Sequence, residues 1–417
     1  MAGRDAAMND GAAAPGRPGE GNAGGGPLAG IRVIDFSIAM AGPTCSLLLA
    51  DFGADVIKVE RPAGKEMTRS WGTHYHGPNK EFSGLFLALN RNKRGITLDL
   101  KSPSDLEIVG ELIKTADVVL ENFRPGVADR LGFGYQRALE LNPRIVYASI
   151  SGFGQNGPLR DRPGLDMLLQ AYCGHLSVTG EEGRPSVRIG HSAIDLLTGT
   201  HAAYGIVLAL RERDRTGLGQ RVDTSLYEGA IQLMTHYIAV CSGSGEVPGK
   251  SGPFFAFSSP YGVFNARDRE FFMGAADNRM YRSLCELIGR PELIDDERFK
   301  TNADRISHRD ELHTEIIPVF ATKDAQDWVD LMTEVNIPAS LVATVAEVIE
   351  QPQAQARDMI VHTGVENVYS AGLPIKLDRT PGSIRRRAPA PGEHNEEILA
   401  ELRASRDGTG SRPGAGS

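Results

Sequence analysis

Cysteine is scarce in this chain, which contains four cysteines among 417 residues. Cys45, Cys173, Cys241 and Cys285 lie far apart, and no pair has the spacing of a metal-binding motif. So few cysteines in so long a chain do not suggest a disulfide scaffold, and we expect free thiols in a reducing cytoplasm. We find no apolar run long enough to cross a bilayer and no apolar core of a signal peptide near the N-terminus. We therefore expect a cytoplasmic protein that does not bind membranes.

Several catalytic motifs are also missing. The chain has neither a Gly-x-Ser-x-Gly elbow nor a Walker loop, which argues against a hydrolase triad and against nucleotide hydrolysis. His74 and His76 have no carboxylate or cysteine partner nearby in sequence, so we expect no metal site. Residues 152–157 spell Gly-x-Gly-x-x-Gly, but Pro158 follows and predicts a loop, whereas a dinucleotide site needs a helix there.

The composition is that of an ordinary globular protein with a mild negative charge. Apolar residues make up 41% and charged residues 24% of the chain, and the formal net charge is −8. A protein of this charge is a poor candidate for general nucleic-acid binding, so we expect no nucleic-acid partner. The Gly-rich segment 1–27 and the end of the chain, 404–417, are predicted to be disordered tails.

Between the tails, short β-branched segments alternate with helical patterns. The predicted strands lie at 31–36, 54–60, 95–100, 116–120 and 144–150, with helices at 45–52 and 104–115. This order predicts an α/β fold with a Rossmann-like, doubly wound large domain, whose ligands bind beyond the carboxyl ends of the strands. A hairpin at 261–265 and 270–274, followed by helices, predicts a small α+β domain.

Asp195 is the leading candidate for chemistry. It stands where an apolar helical pattern begins, so a helix dipole would keep its carboxylate ionised and able to attack an acyl group. From the residues alone, however, a helix cap is the favoured role, because Asp is a preferred capping residue. Basic residues near the predicted strand ends suggest a phosphate pocket; they are Arg61, Arg91, Lys93, Arg94, Arg124 and Arg130.

A series of short motifs then indicates the family of proteins that this chain resembles. In chain order they are VIDF (33–36), AGP (41–43), LADFGADVIKVERP (49–62), LNRNKR (89–94), ENFRPG (121–126), LNPR (141–144), TGLGQRVD (216–223) and PGEHNEEIL (391–399). With these motifs the chain resembles the class III CoA-transferases, the CaiB/BaiF family. The resemblance implies an enzyme that moves CoA from an acyl-CoA donor, such as succinyl-CoA, to a carboxylic acid acceptor. It also implies that CoA is a substrate and that no permanent cofactor or metal is bound.

The resemblance assigns roles residue by residue. Asp195 matches the nucleophile that forms mixed-anhydride and aspartyl-CoA thioester intermediates, and Ala41 should lie beside the thioester with its backbone N–H near an oxyanion. The implied CoA contacts are Arg61, Leu89, Arg94, Asn122, Phe123 and Arg130. Two positions differ from the formyl-CoA member of the family and concern substrate specificity. Met40 stands where that member has a glutamine, and the apolar, aromatic loop 251–259 stands where it has a Gly-rich lid.

The resemblance further implies an interlocked, ring-shaped homodimer. Its large domain would comprise 28–215 and 345–403, its small domain 252–330, and its linkers 216–251 and 331–344. Two other functions stay open. One is a 2-methylacyl-CoA racemase, although Leu165 stands where those enzymes have a catalytic histidine. The other is a non-catalytic acyl-CoA-binding protein.

Overall fold

The structure, a computed structural model, describes residues 25–62, 66–72, 74–78 and 80–407. The tails predicted at 1–27 and 404–417 lie largely outside these residues. The last helix continues to Arg406, so the residues from 404 to 406 are helical and the expected tail starts later.

The elements follow in chain order. The strands are β1 Arg32–Asp35, β2 Asp55–Glu60, β3 Tyr75–His76, β4 Phe82–Ser83, β5 Lys93–Thr97, β6 Val118–Glu121, β7 Val146–Ser151, β8 Arg221–Ser225, β9 Tyr261–Asn265, β10 Glu270–Gly274, β11 Ala339–Leu341, β12 Ile360–His362 and β13 Tyr369–Ala371. The helices are α1 Ala41–Asp51, α2 Gly84–Asn90, α3 Pro103–Thr115, α4 Val127–Arg130, α5 Tyr135–Leu141, α6 Asp166–Tyr172, α7 His175–Val178, α8 Ala193–Thr216, α9 Leu226–Leu233, α10 Thr235–Ser244, α11 Asn278–Leu287, α12 Asn302–Ser307, α13 Arg309–Phe320, α14 Ala325–Glu334, α15 Val345–Glu350, α16 Pro352–Ala356 and α17 Asn395–Arg406. Short 3-10 helices cover Met67–Ser70 and Pro291–Ile294.

The first of two compact units contains residues 25–162, Asp195–Ser225 and 358–407. Its main sheet has the order β5-β2-β1-β6-β7-β8, with every neighbouring pair parallel. The first three of these strands in chain order run outward from β1 on one side, and the next three run outward on the other. This is the Rossmann order, so the predicted doubly wound α/β sheet is confirmed, and the strand order reverses between β1 and β6.

The two faces of this sheet have different chemistry. One face buries branched side chains such as Ile34, Ile57 and Val119 against α3, α5 and α17. Each such side chain, once buried, contributes roughly 1.5–3 kcal/mol of hydrophobic stabilisation. The other face lies under α1 and carries charges, because alternate residues of a strand point to opposite faces. Asp35 and Lys58, on neighbouring strands, are both fully buried there.

The second unit comprises Pro163–Ile194 and Leu226–Arg357. Its antiparallel sheet has the order β11-β10-β9, and its apolar core includes Phe271, Phe320 and Trp328. The predicted hairpin is confirmed with the predicted bounds. The ranges expected to be linkers carry regular structure instead: β8, α9 and α10 lie within 216–251, and β11 within 331–344.

Helix α8 is the long helix that follows the apolar pattern beginning at Asp195, and it has 24 residues. By length and composition it could cross a membrane, so the expectation that no run is long enough was wrong for this helix. Core helices pass the same test, and 44% of the most apolar window of α8 is buried inside the protein. Ala202, Ile206 and Ala209 lie on its buried face.

Candidate active site

Asp195 lies inside the first turn of α8, as its third residue, and is half-buried. The apolar pattern predicts a helix that starts just after Asp195, but the helix begins two residues before Asp195, at Ala193. Its neighbours Ile194 and Thr198 are fully buried. The first backbone N–H groups of a helix have no partner within it, and the dipole places partial positive charge there. This position therefore favours an ionised Asp195 carboxylate.

The N-terminus of α8 is capped by another residue, Asp166 in the first turn of α6. Its Oδ2 accepts a hydrogen bond from the backbone N–H of Ile194 at 2.9 Å. Its Oδ1 accepts from Nε2 of Gln170, and Oε1 of Gln170 accepts from the backbone N–H of Ile189 at 2.9 Å. Asp166 thus caps this end of α8, a role that the sequence pattern suggested for Asp195. No sequence pattern signals this contact, because Asp166 and Ile194 are far apart in the chain.

Gly199, one turn beyond Asp195, sets the distance between α8 and α1. A Cβ atom on Gly199 would lie 2.4 Å from the backbone oxygen of Ala41 and 2.8 Å from Cβ of Thr44. Such distances essentially never occur for real Cβ atoms, so this packing requires glycine. Residues four apart on a helix lie on the same face. Asp195 therefore lies on the side of α8 that faces the first turn of α1.

The loop between β1 and α1 is fixed by Asn122, which directly follows β6. Oδ1 of Asn122 accepts a hydrogen bond from the backbone N–H of Ile38 at 2.9 Å, and its Nδ2 donates to the Ile38 carbonyl at 2.7 Å. Met40 then occupies the N-cap position of α1 and Ala41 its first helical position. The backbone N–H of Ala41 is therefore among the donors that the helix itself does not satisfy. Asn122 acts on this site by holding the loop.

Buried charges lie beneath α1. Nζ of Lys93 is 3.5 Å from Oδ2 of Asp35, which also accepts a hydrogen bond from Ser46 at 2.6 Å. Burial alone would raise the pKa of Asp35, but Lys93 and Lys58 hold that pKa below its usual value. Burial lowers the pKa of Lys93 to about 8, against the attraction of Asp35. This network fixes α1 to β1 and β5 from below.

A cleft of about 180 Å³ lies at the carboxyl ends of β1, β2, β5 and β6. Its lining residues are Phe36, Ile38, Val59, Glu60, Arg61, Glu66, Met67, Leu98, Leu100 and Phe123. The strand order reverses between β1 and β6, which is where doubly wound sheets bind ligands. Of the predicted CoA contacts, Arg61 and Phe123 line this cleft, as the strand-end rule leads one to expect.

Leu89 and Arg94 do not line the cleft. Leu89 is buried in α2, and Arg94 stands near the amino end of β5. The Arg94 guanidinium donates hydrogen bonds to the carboxylates of Asp55, Glu397 and Glu401, the shortest at 2.6 Å. A contact between Arg94 and CoA is therefore not supported. Leu98 and Leu100, which follow β5, do line the cleft. Both fall inside the strand predicted at 95–100, so the strand-end rule missed them; β5 ends earlier, at Thr97.

The other basic residues of the predicted phosphate pocket fall into two groups, those in internal ion pairs and those exposed near the strand ends. Arg91 pairs with Asp51 at 2.7 Å and Lys93 with Asp35, so neither belongs to a phosphate pocket. Arg124 and Arg130 are exposed, in the segment that follows β6. Only part of the predicted basic cluster thus stands at the strand ends.

The remaining motif predictions concern metals and nucleotides. The segment 152–157 starts no helix, since β7 ends at Ser151 and α6 begins at Asp166; the predicted loop is confirmed. Among the residues that the structure describes, no group of three or more His, Cys, Asp or Glu side chains could hold a metal ion. All four cysteines are free thiols.

The sequence of the chain matches the model of CoA-transferase family III over residues 28–395. The chain belongs to this family. It is 36% identical to the acetyl-CoA:oxalate CoA-transferase of Acetobacter aceti, covering 84% of this chain and 89% of that protein. It is also 36% identical to the succinyl-CoA–D-citramalate CoA-transferase of Chloroflexus aurantiacus, covering 90% and 94%.

A solved structure agrees with the family assignment. A CaiB/BaiF family protein from Brucella suis is 33% identical, with a TM-score of 0.83, and the match covers 91% of this chain and all of that one. The predicted resemblance is therefore confirmed: the protein is a family III CoA-transferase, a class of enzyme whose substrates are CoA thioesters. The assignment of individual catalytic and binding residues stays a prediction.

Proposed function

We propose that this family III CoA-transferase moves CoA between carboxylic acids through covalent intermediates on Asp195. The close packing at Gly199 carries the proposal, because it brings the face of α8 that bears Asp195 against the start of α1. The Asp195 carboxylate, in the first turn of α8, thus lies on the face that packs against the first turn of α1. A carboxylate is a competent nucleophile toward an acyl group, and backbone N–H donors stabilise a developing oxyanion.

The proposed reaction has two matching halves. Asp195 attacks the carbonyl carbon of the donor thioester and the C–S bond breaks, giving a mixed anhydride and CoA thiolate. The thiolate then attacks the aspartyl carbonyl, which releases the donor acid as a carboxylate and leaves aspartyl-CoA. The acceptor carboxylate attacks this thioester to give a second anhydride and free thiolate. Attack of the thiolate on the acceptor carbonyl releases the new acyl-CoA and restores Asp195.

These steps balance without an added proton or electron, so the protein's tasks are orientation, oxyanion stabilisation and exclusion of water from the anhydrides. In this proposal the backbone N–H of Ala41 stabilises the oxyanion at each anhydride-forming step. Ala41 is 4% exposed, so this donor acts in surroundings where electrostatic interactions are weakly screened.

We assign one end of CoA to the cleft at the strand ends. Its volume of about 180 Å³ is below the roughly 300–1,000 Å³ typical of sites for whole drug-sized ligands, so it accommodates part of CoA. Leu98, Leu100 and Phe123 offer an apolar surface for a flat ring, and Arg61 stands at the edge. Arg61, Arg124 and Arg130 are exposed, and their guanidinium groups suit phosphate contacts.

For the donor we propose succinyl-CoA, and for the acceptor an acid larger or less polar than oxalate. The similarity to the Chloroflexus enzyme supports the donor, since its name specifies succinyl-CoA. The resemblance supports the acceptor, because the aromatic loop 251–259 stands in place of a Gly-rich lid. Within the second unit, the ring centroid of Phe255 lies 5.4 Å from that of Phe257 and 5.1 Å from that of Tyr261. The name of the Acetobacter aceti relative includes oxalate, so oxalate is tested as the competing acceptor. A panel of acyl-CoA donors and acids in which only oxalate accepts CoA would refute the acceptor assignment.

The two other functions lack an observation in their favour. Leu165, where racemases have a histidine, is 67% exposed and cannot exchange protons. A racemase would exchange the α-proton of its acyl-CoA in heavy water without needing an acid acceptor. A non-catalytic binding protein would bind acyl-CoA without turnover.

We also propose that the enzyme is a cytoplasmic homodimer. Support comes from apolar side chains that each unit leaves exposed: Tyr204 (65%) and Leu208 (51%) on α8, and Met167 (58%) and Tyr172 (53%) on α6. Large exposed apolar residues of this kind mark protein interfaces. Light scattering after size exclusion should give twice the chain mass, and Tyr204→Glu with Leu208→Glu should give monomers. A monomeric wild-type protein would contradict the proposal.

The decisive experiment is covalent trapping at Asp195. Enzyme quenched during turnover with hydroxylamine should carry a hydroxamate on the peptide that contains Asp195, as mass spectrometry can detect. Asp195→Ala should lower the transfer rate by at least about a thousandfold, as loss of a covalent nucleophile does. Asp214→Ala, an exposed aspartate of the same helix, is the matched control. Full turnover by Asp195→Ala, or a label confined to other peptides, would reject the mechanism.

A further inference from the structure

The cleft at the strand ends contains a buried carboxylate, Glu66, which is 5% exposed. A negative charge is unexpected in a cleft assigned to a ligand that carries phosphates, because it disfavours binding of an anion. Part of its role is local. Oε1 of Glu66 accepts a hydrogen bond from the Thr68 hydroxyl at 2.9 Å, and Glu66 is the N-cap of the 3-10 helix Met67–Ser70. A neutral capping residue such as serine or asparagine could do the same.

The other contacts of Glu66 lead to the loop between β1 and α1. Its Oε1 accepts a hydrogen bond from the backbone N–H of Ala39 at 3.4 Å. Its Oε2 lies 3.8 Å from Nζ of Lys58, which is fully buried. Lys58 in turn donates a hydrogen bond to the backbone carbonyl of Ser37 at 3.0 Å. The Glu66–Lys58 ion pair thus holds the backbone on both sides of Ile38. The backbone N–H and carbonyl of Ile38 itself are held by Asn122.

This loop needs to be held. Ala39 has a φ of 63°, a left-handed conformation that non-glycine residues rarely adopt and that costs free energy. The loop also packs directly against the helix it precedes, since a Cβ atom on Gly42 would lie 2.1 Å from Cβ of Ser37. A shift of the loop would therefore move the first turn of α1, including the backbone N–H of Ala41.

We infer that Glu66 and Lys58 are positioning residues, which hold the strained loop so that the Ala41 amide stays aimed at the intermediates on Asp195. The inference rests on the proposed function of Asp195. It explains why an anionic side chain is kept beside a phosphate-bearing ligand: the acid serves the chemical step and not the binding of CoA. The inference makes different predictions for kcat and for CoA affinity: loss of Glu66 should slow turnover without weakening CoA binding.

The test compares Glu66→Ala with Glu66→Gln. Alanine removes the acceptor for Ala39 and the partner of Lys58. We expect kcat to fall roughly ten- to a hundredfold, by analogy with the loss of residues that orient the ligands of a metal. Glutamine keeps an acceptor oxygen but loses the attraction to Lys58, so kcat should fall by a smaller factor. The Kd for CoA, measured by calorimetry, should stay the same or decrease in both variants, because a negative charge leaves the cleft.

Met67→Ala is the matched comparison. Met67 lines the same cleft next to Glu66, and no hydrogen bond joins its side chain to the loop. This variant should show the opposite split, with a higher KM for acyl-CoA and a smaller effect on kcat.

The outcomes distinguish the positioning role of Glu66 from the proposed covalent role of Asp195. Unchanged kcat in either Glu66 variant, or a loss of kcat matched by weaker CoA binding, would overturn the positioning role. Should Glu66→Ala fail to fold, the near-isosteric glutamine variant decides by itself. A wild-type enzyme that never labels at Asp195 overturns the proposed function instead. Normal labelling in the wild type with an equal labelling rate in Glu66→Ala overturns this inference alone.

Discussion

Gly199→Ala should disable the enzyme through a single methyl group. The added Cβ would lie 2.4 Å from the backbone oxygen of Ala41, about 1 Å short of the 3.4 Å at which ordinary contacts begin. A backbone oxygen at a helix start cannot rotate away as a side chain can, so α8 and α1 must separate. Asp195 is one turn from the added group and Ala41 carries the proposed oxyanion donor. The separation therefore falls between the two groups whose alignment the reaction needs.

The expected losses follow from that distance. A misplacement of 1 Å between reacting groups costs about a hundredfold in rate, so we expect kcat to fall by that order. Overpacking costs roughly 1–3 kcal/mol, and the better helix propensity of alanine returns about 0.5–1 kcal/mol, which leaves a net destabilisation of about 1 kcal/mol. Urea unfolding and initial rates of CoA transfer measure the two effects.

Gly110→Ala in α3 is the control, because an added Cβ there meets no atom within 4 Å. It should keep full activity and gain about 0.5–1 kcal/mol of stability from helix propensity. If Gly199→Ala matched Gly110→Ala in both rate and stability, the close packing of α8 on α1 would not be a requirement of the site.

Three further predictions concern charged residues. Arg94→Met should destabilise the fold by about 2 kcal/mol in urea unfolding, because three carboxylates lose a buried partner. The variant should leave KM for acyl-CoA unchanged, and a higher KM would restore Arg94 as a CoA contact. Arg61→Met should raise KM for acyl-CoA with little change in stability, and an unchanged KM would remove Arg61 from the binding site. Burial raises the pKa of Glu121 to about 7, so this group stabilises the fold fully below its unfolded value near 4.5 and loses that stabilisation as pH rises through 7. The free energy of unfolding should fall by about 3 kcal/mol over this pH range, and Glu121→Gln should remove that pH dependence. Equal pH dependence of stability in wild type and variant would show that Glu121 is not its cause.

The sequence predicted those parts of the site that depend on strand ends and local order. Alternation of strands and helices was enough to predict the parallel sheet, and residues that follow β2 and β6, such as Arg61 and Phe123, line the cleft. Leu89 and Arg94 do not line the cleft, because Leu89 lies before β5 and Arg94 lies at its amino end, whereas the cleft is at the carboxyl ends of the strands. A basic residue in a family motif can also serve an internal ion pair, as Arg94 does with Glu401.

Other parts of the site could not be predicted, because they depend on contacts between distant residues. The cap of α8 by Asp166 joins residues 28 positions apart, and the bond from Asn122 to the loop spans 84 positions. The fit of Gly199 against Ala41 depends on the distance between two helix axes, which no local pattern encodes. Such contacts set the geometry of the candidate nucleophile, so sequence alone could suggest Asp195 and leave its capping alternative open.

The environment of the four thiols has a practical consequence for measuring turnover. Cys45, Cys173 and Cys285 are buried, and burial raises the pKa of each, to about 11 for Cys173 and Cys285, so little reactive thiolate forms at neutral pH. Cys241 is the partly exposed one. A colorimetric disulfide reagent that reports liberated CoA should therefore see at most one background side chain per folded chain. Replacing Cys241 with serine would give a continuous optical readout in which the signal comes from the product alone.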